Sequence, residues 1–194
     1  MKRISGHTAK TKQNYALNAG VLFKNFKFGT DTYESAMTGG KCLGDTKGGN
    51  TFKAVPQFFS IETDGSPENT VGNTYIDYWE VTLNCNLSET TAETVKLALA
   101  SCTATAVSDK GYTKIVGKND VDDSDYIENI TMITTITGSN DPIIIQVFNA
   151  YNKEGLEFKT EKKNAAVTSI TFTGNYTNSN DEEPPFAIYL PNIE

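Results

Sequence analysis

Residues 75–87 read YIDYWEVTLNCNL, and their alternation decides the fold. Trp79, Val81, Leu83, Cys85 and Leu87 fall on one face of an extended chain, and Tyr78, Glu80, Thr82, Asn84 and Asn86 on the other. This pattern predicts a strand with its apolar face on a core and its polar face on water or a water-filled space. Just downstream, Thr90 and Glu93 have the spacing of a capping box, in which each side chain satisfies the other's backbone N–H. A flanking helix is predicted over about 91–101, laying a narrow stripe of Ala92, Val95, Ala98, Leu99 and Cys102 on a sheet. A helix so short depends on packing for its stability.

Upstream, residues 44–65 read GDTKGGNTFKAVPQFFSIETDG. Two short strands are predicted at 51–55 and 58–64, broken at Pro56, with a turn region over 65–74. The glycine-rich stretch 29–50 reads as one long loop, mobile in the isolated chain. Residues 1–18 are polar and basic and read as an arm, after which Val21, Leu22 and Phe23 open a strand whose alternation Phe26 and Phe28 continue. Further strands are predicted near 112–117, 126–137, 143–151, 155–161 and 166–176. The tight turn at 152–155 makes the third and fourth of these a hairpin. In the last, Thr168, Ile170 and Phe172 share one face, and Ser169, Thr171 and Thr173 the other. A β domain over 19–176 results, with a C-terminal tail over 177–194 whose residues 186–190 form a short edge strand.

Charge is segregated. The net charge is −7, yet the first thirty residues carry Lys2, Arg3, Lys10, Lys12, Lys24 and Lys27 and no acid, leaving −13 on the remainder. A basic arm on an acidic body can dock on a second copy of the chain. The acidic body argues against tight nucleic-acid binding, whose affinity comes from cations on phosphates. Cys42, Cys85 and Cys102 make an odd count without a CxxC pair and are expected as reduced thiols. No apolar h-region follows Lys2 and Arg3, so no signal peptide is expected, and no apolar run reaches membrane-spanning length. His7 is the single histidine, and no zincin, nucleophile-elbow or Walker sequence occurs. The run Asp120, Asp122, Asp123, Asp125 lacks the Gly and Glu of a helix–loop–helix calcium loop and reads as a solvated acidic turn. Neither a catalytic residue nor a cofactor or metal site is expected.

The ordered set of these segments carries a resemblance. Tyr15 to Gly20 (YALNAG), Thr46 to Phe52 (TKGGNTF), Asp64 with Gly65, Trp79 with Val81 and Leu83, and Thr91 to Thr94 (TAET) resemble the major tail tube protein of long-tailed, siphovirus-type bacteriophages and related prophage tails. The chain departs from that pattern at Gln57, where the family usually has an acidic residue, and in the 66–74 turn, which lacks the basic residues often found there. The resemblance implies a β-sandwich or barrel-like body with one flanking helix. It implies subunits that form hexameric rings, stack into a hollow tube in the virion tail, and meet the tape measure protein, the tail terminator and the distal tail or baseplate proteins. DNA would transit the lumen without specific binding. Lys47, Gly48, Gly49, Asn50, Thr51 and Phe52 would then be an assembly loop. The polar face Tyr78, Glu80, Thr82 and Asn84 would meet either the outside of the tube or its lumen, and an inner barrel wall suits a long strand with few cations on its wet face. The alternatives are a carbohydrate-binding or adhesin-type β-sandwich, which the abundant Tyr and Asn would suit, and a minor tail protein such as a distal-tail or terminator subunit.

Overall fold

The computed structural model of the chain describes residues 5–65, 67, 70–158, 166–177 and 182–193. The fold is mainly β, as the alternation requires. Nine strands occur among the described residues: β1 (Ala16–Lys24), β2 (Thr51–Ser60), β3 (Thr74–Leu87), β4 (Cys102–Val107), β5 (Tyr112–Gly117), β6 (Ile127–Ile136), β7 (Ile143–Asn152), β8 (Thr168–Thr173) and β9 (Phe186–Tyr189). Two helices accompany them, α1 (Tyr33–Thr38) and α2 (Ala92–Leu99).

Seven strands form one antiparallel sheet in the order β1-β6-β7-β8-β3-β2, with β9 also on β7. The sheet turns a corner at β7. Its first part pairs with β6 and β9, and its last residues, Tyr151 and Asn152, pair with Thr173 and Phe172 of β8. At the corner Asn149 takes φ +46°, a left-handed conformation that Asn tolerates better than most residues. Its Nδ2 donates to the carbonyl of Asn175 at 3.0 Å, and Asn175 Nδ2 donates back to the carbonyl of Asn149 at 2.7 Å. The two halves thus fold face to face as a sandwich. Leu22, Ile130, Met132, Val147 and Ala150 of one layer meet Val81, Leu83, Cys85, Leu87, Ile170 and Phe172 of the other in one buried cluster. The inward residues of 75–87 and of 168–173 are those the period of two selects.

The outer face of the β1-β6-β7 layer is covered as well. Phe23, Phe26, Ile133 and Ile144 are buried there beneath Ala36 of α1. A polar clamp holds this cover in place. Asn129 Oδ1 accepts from the Phe26 N–H (3.0 Å), Gln146 Nε2 donates to the Phe26 carbonyl (2.9 Å), and Thr131 links the two amides. All three side chains are buried, so each needs such partners.

Several expectations are corrected. The stretch 29–50 is not a structureless loop: Thr32 and Ser35 cap α1 reciprocally, Cys42 bridges to Phe23, and Thr46 bridges to Leu87. Pro56 does not break a strand. The Trp79 N–H turns away from β2 to Tyr176 Oη (2.8 Å), which makes Pro56 and Trp79 a non-hydrogen-bonded pair. The missing N–H of Pro56 therefore falls on the sheet's free edge, and β2 runs on without losing a ladder bond. The helix is shorter than 91–101, and its capping box lies one residue later, between Thr91 and Thr94. Thr94 and Ala98 are its buried residues, with Leu97 packed on the core, while Cys102 opens β4. β4 went unpredicted, and with β5 it forms a separate two-stranded sheet. Residues 155–158 form no strand, and 159–161 lie outside the described residues, so the hairpin expected from 143–161 is replaced by the pairing of β7 with β6, β8 and β9. The expected strand over 166–176 is confined to 168–173. Residues 16–18, placed in the arm, already belong to β1.

Candidate functional site

The glycine loop is fastened to its own sandwich. The Lys47 N–H donates to the Asn86 carbonyl at 2.9 Å, and Glu89 Oε1 accepts from the Asp45 N–H at 3.1 Å. Gly44 has φ +101°, so the backbone favours glycine, and a Cβ there would lie 2.9 Å from the Glu89 carboxyl carbon and push that side chain aside. Asn50 Nδ2 donates to the Gly20 carbonyl at 2.7 Å, drawing β1 towards the start of β2, while its Oδ1 is buried without a partner. Phe52 is half-buried against the core, its ring 5.8 Å from that of Phe186. Of the six residues assigned to an assembly loop, Lys47, Gly48, Gly49 and Thr51 are exposed; Asn50 and Phe52 serve the body.

The feature that stands clear of the body is the far half of the β2–β3 hairpin. Beyond Gln57–Tyr78 the register slips, leaving Asp77 without a partner, and pairing resumes at Phe58–Ile76 and Phe59–Tyr75. Successive pairs point to opposite faces. Both faces are apolar and both are wet: Phe58 is 62% exposed, Phe59 47% and Ile76 48%. Phe59 and Tyr75 stack at 5.5 Å, and Ile61 and Tyr78 extend the exposed apolar surface. Single exposed apolar side chains are ordinary, but a clustered set on an extended element marks an interaction site. The sequence carried a signal for it: adjacent apolar pairs, Phe58 with Phe59 and Tyr75 with Ile76, break the apolar–polar alternation that holds from 78 to 87.

Tyr78, Glu80, Thr82 and Asn84 lie together on the face of β3 opposite the core, Tyr78 and Glu80 exposed, Thr82 and Asn84 half-buried. Their register partners Gln57, Val55, Lys53 and Thr51 share that face from β2, and Thr173 and Thr171 from β8. Gln57 Nε2 donates to Glu80 Oε2 (3.3 Å), Asn84 Nδ2 to Thr171 Oγ1 (2.9 Å), and Thr171 Oγ1 to Glu154 Oε2 (2.7 Å). The result is a wall of hydroxyls and amides with two carboxylates and one ammonium, Lys53. Such a wall hydrogen-bonds water and presents little cationic charge to a polyanion.

Two of the four aspartates in the acidic run, Asp122 and Asp125, are ion-paired, while Asp120 and Asp123 are exposed. Lys118 Nζ lies 2.7 Å from both Asp122 and Asp125. The Lys118 ammonium, helped by a backbone N–H bond from Asp122, holds the Asp125 carboxyl below the usual carboxylate range. Lys41, with the Lys27 N–H, does the same for Asp31. Lys24 pairs with Glu93 and ties β1 to α2. No group of three or more His, Cys, Asp or Glu side chains among the described residues is arranged to hold a metal ion. His7 is exposed, and its backbone N–H donates to Ser5 Oγ at 3.2 Å. No described helix is long and apolar enough to cross a membrane. No protein-family model matches the sequence, and no curated protein matches it.

Proposed function

We propose that this chain is the structural subunit of a phage-type tail tube, which self-assembles into stacked hexameric rings that conduct DNA during ejection. The observation that carries the reading is the far half of the β2–β3 hairpin, apolar on both faces on an element that leaves the sandwich. Burying both faces takes contact with another molecule on each side, as a ring or stack provides. The free edge of β2 supports the reading, since closure of sheets between subunits removes exposed edges. So does the resemblance of the ordered set of segments to tail tube proteins. The polar wall around Glu80 is assigned to the lumen, where a hydroxyl- and amide-rich surface with an acidic ring and few cations lets phosphates pass without adhering.

The test is assembly as a function of concentration. Sedimentation velocity and negative-stain microscopy should show rings or tubes with sixfold symmetry as concentration rises, without added cofactor. A species that stays monomeric at all concentrations and salt conditions defeats the proposal. Glu80→Lys tests the lumen separately: tubes should still form, but should retain DNA or slow its ejection.

A further inference from the structure

Charge along this chain separates two surfaces that are exposed among the described residues. From Ala54 to Val95 the sequence contains no lysine or arginine, and the described part of the far hairpin carries Glu62, Asp64 and Asp77, all exposed. The segment before β1 is the reverse. It carries Lys10 and Lys12, both exposed, and no acid, and it runs into the exposed apolar side chains of Tyr15 and Leu17. Here β1 is an edge. Ala16 and Leu17 pair with Ile136 and Thr135 on one side, and the strip 41–43 that covers β1 on the other side begins only at Leu22. Among the described residues, none of Glu62, Asp64, Asp77, Lys10 and Lys12 takes part in an ion pair.

Both surfaces therefore combine an apolar centre with a rim of single-sign charge, and the signs are opposite. We propose that the far hairpin of one copy docks on the N-terminal segment and the free β1 edge of the next, with Glu62, Asp64 and Asp77 facing Lys10 and Lys12 and with one face of the hairpin, Phe58 and Ile76, packing on Tyr15 and Leu17. The two patches differ, so the contact is heterologous and can propagate head-to-tail from copy to copy. Like-signed rims meet if two hairpins or two N-terminal segments are brought together, which selects the head-to-tail arrangement. The inference rests on the self-assembly reading and adds to it which surface meets which.

Charge reversal tests it on the full chain. Lys10→Glu with Lys12→Glu makes both surfaces acidic; Glu62→Lys with Asp64→Lys makes both basic. All four positions are exposed, so folding is spared, and circular dichroism checks this. Each double variant alone should need at least about tenfold more protein to assemble than the wild type. An equimolar mixture should assemble near the wild-type concentration, because every contact between unlike copies is again acid on base. The effect should fade with added salt, since exposed charges are screened beyond about 8 Å at physiological ionic strength. If the wild type assembles and either double variant does so equally well, or the mixture is not rescued, this contact is wrong while self-assembly stands. A wild type that never assembles removes both.

Discussion

Cys85 sits at the centre of the sandwich, fully buried, and burial pushes its thiol up to about 12. The thiolate is the reactive form, so Cys85 should resist alkylation at pH 8 in the folded protein while the half-buried Cys42 and Cys102 react first. Mass spectrometry after brief iodoacetamide treatment reads this directly; early modification of Cys85 would mean the core opens. Asp31 and Asp125 give a pH prediction. Their folded-state values lie below the ordinary carboxylate value of about 3.9, so the unfolded chain binds protons first as pH falls. Their contribution is complete above that value and is lost below it. Lys118→Met should therefore lower the melting temperature at pH 7, and the difference from the wild type should shrink as the pH falls below the ordinary carboxylate value. At the corner, Asn149→Ala should cost about 1–2 kcal/mol for the left-handed backbone alone, with the amide bond to Asn175 lost in addition. Asn149→Gly should cost less, because it keeps the backbone freedom; equal losses in urea melts would place the whole effect in the side chain.

At the scale of elements, the hairpin separates stability from association. Removing 58–77 and joining Gln57 to Tyr78 through an Asn-Gly turn deletes no residue of the buried cluster. The shortened chain should melt within about 5 °C of the wild type, on a scale where 1 kcal/mol moves a domain of this size by about 2–4 °C, and should fail to assemble. The sequence made some elements legible and not others, for physical reasons. Strands with one wet face announce themselves, and the inward residues of β3 and β8 follow from period two alone. β6 and β7 are buried on both faces, so alternation could place them but not say what covers them, and α1 was hidden in a glycine-rich stretch that looks like a loop. Pro56 misleads because its effect depends on which side of the ladder its nitrogen faces, a fact of register. The wet wall around Glu80 could be read in advance. The β2 and β8 residues that complete it come together through pairings that no local pattern encodes, whereas the basic segment before β1 could be read from charge alone.

At the scale of the whole molecule, the place of β7 governs when the protein can fold. Ala16 pairs with Ile136, and β7, which joins the two layers, begins only at Ile143. β8 and β9 come later still. During synthesis β1, β2 and β3 leave the ribosome long before the strands that complete their sheet. The β2–β3 hairpin, with its exposed phenylalanines, must wait without a core behind it. Such long-range pairing places folding in the millisecond-to-second range, and chains truncated at residue 142 should remain unfolded and aggregate in refolding assays followed by tryptophan fluorescence. The surface proposed for contact in the finished molecule is thus exposed on the nascent chain first, so timing has to keep neighbouring chains on one message apart.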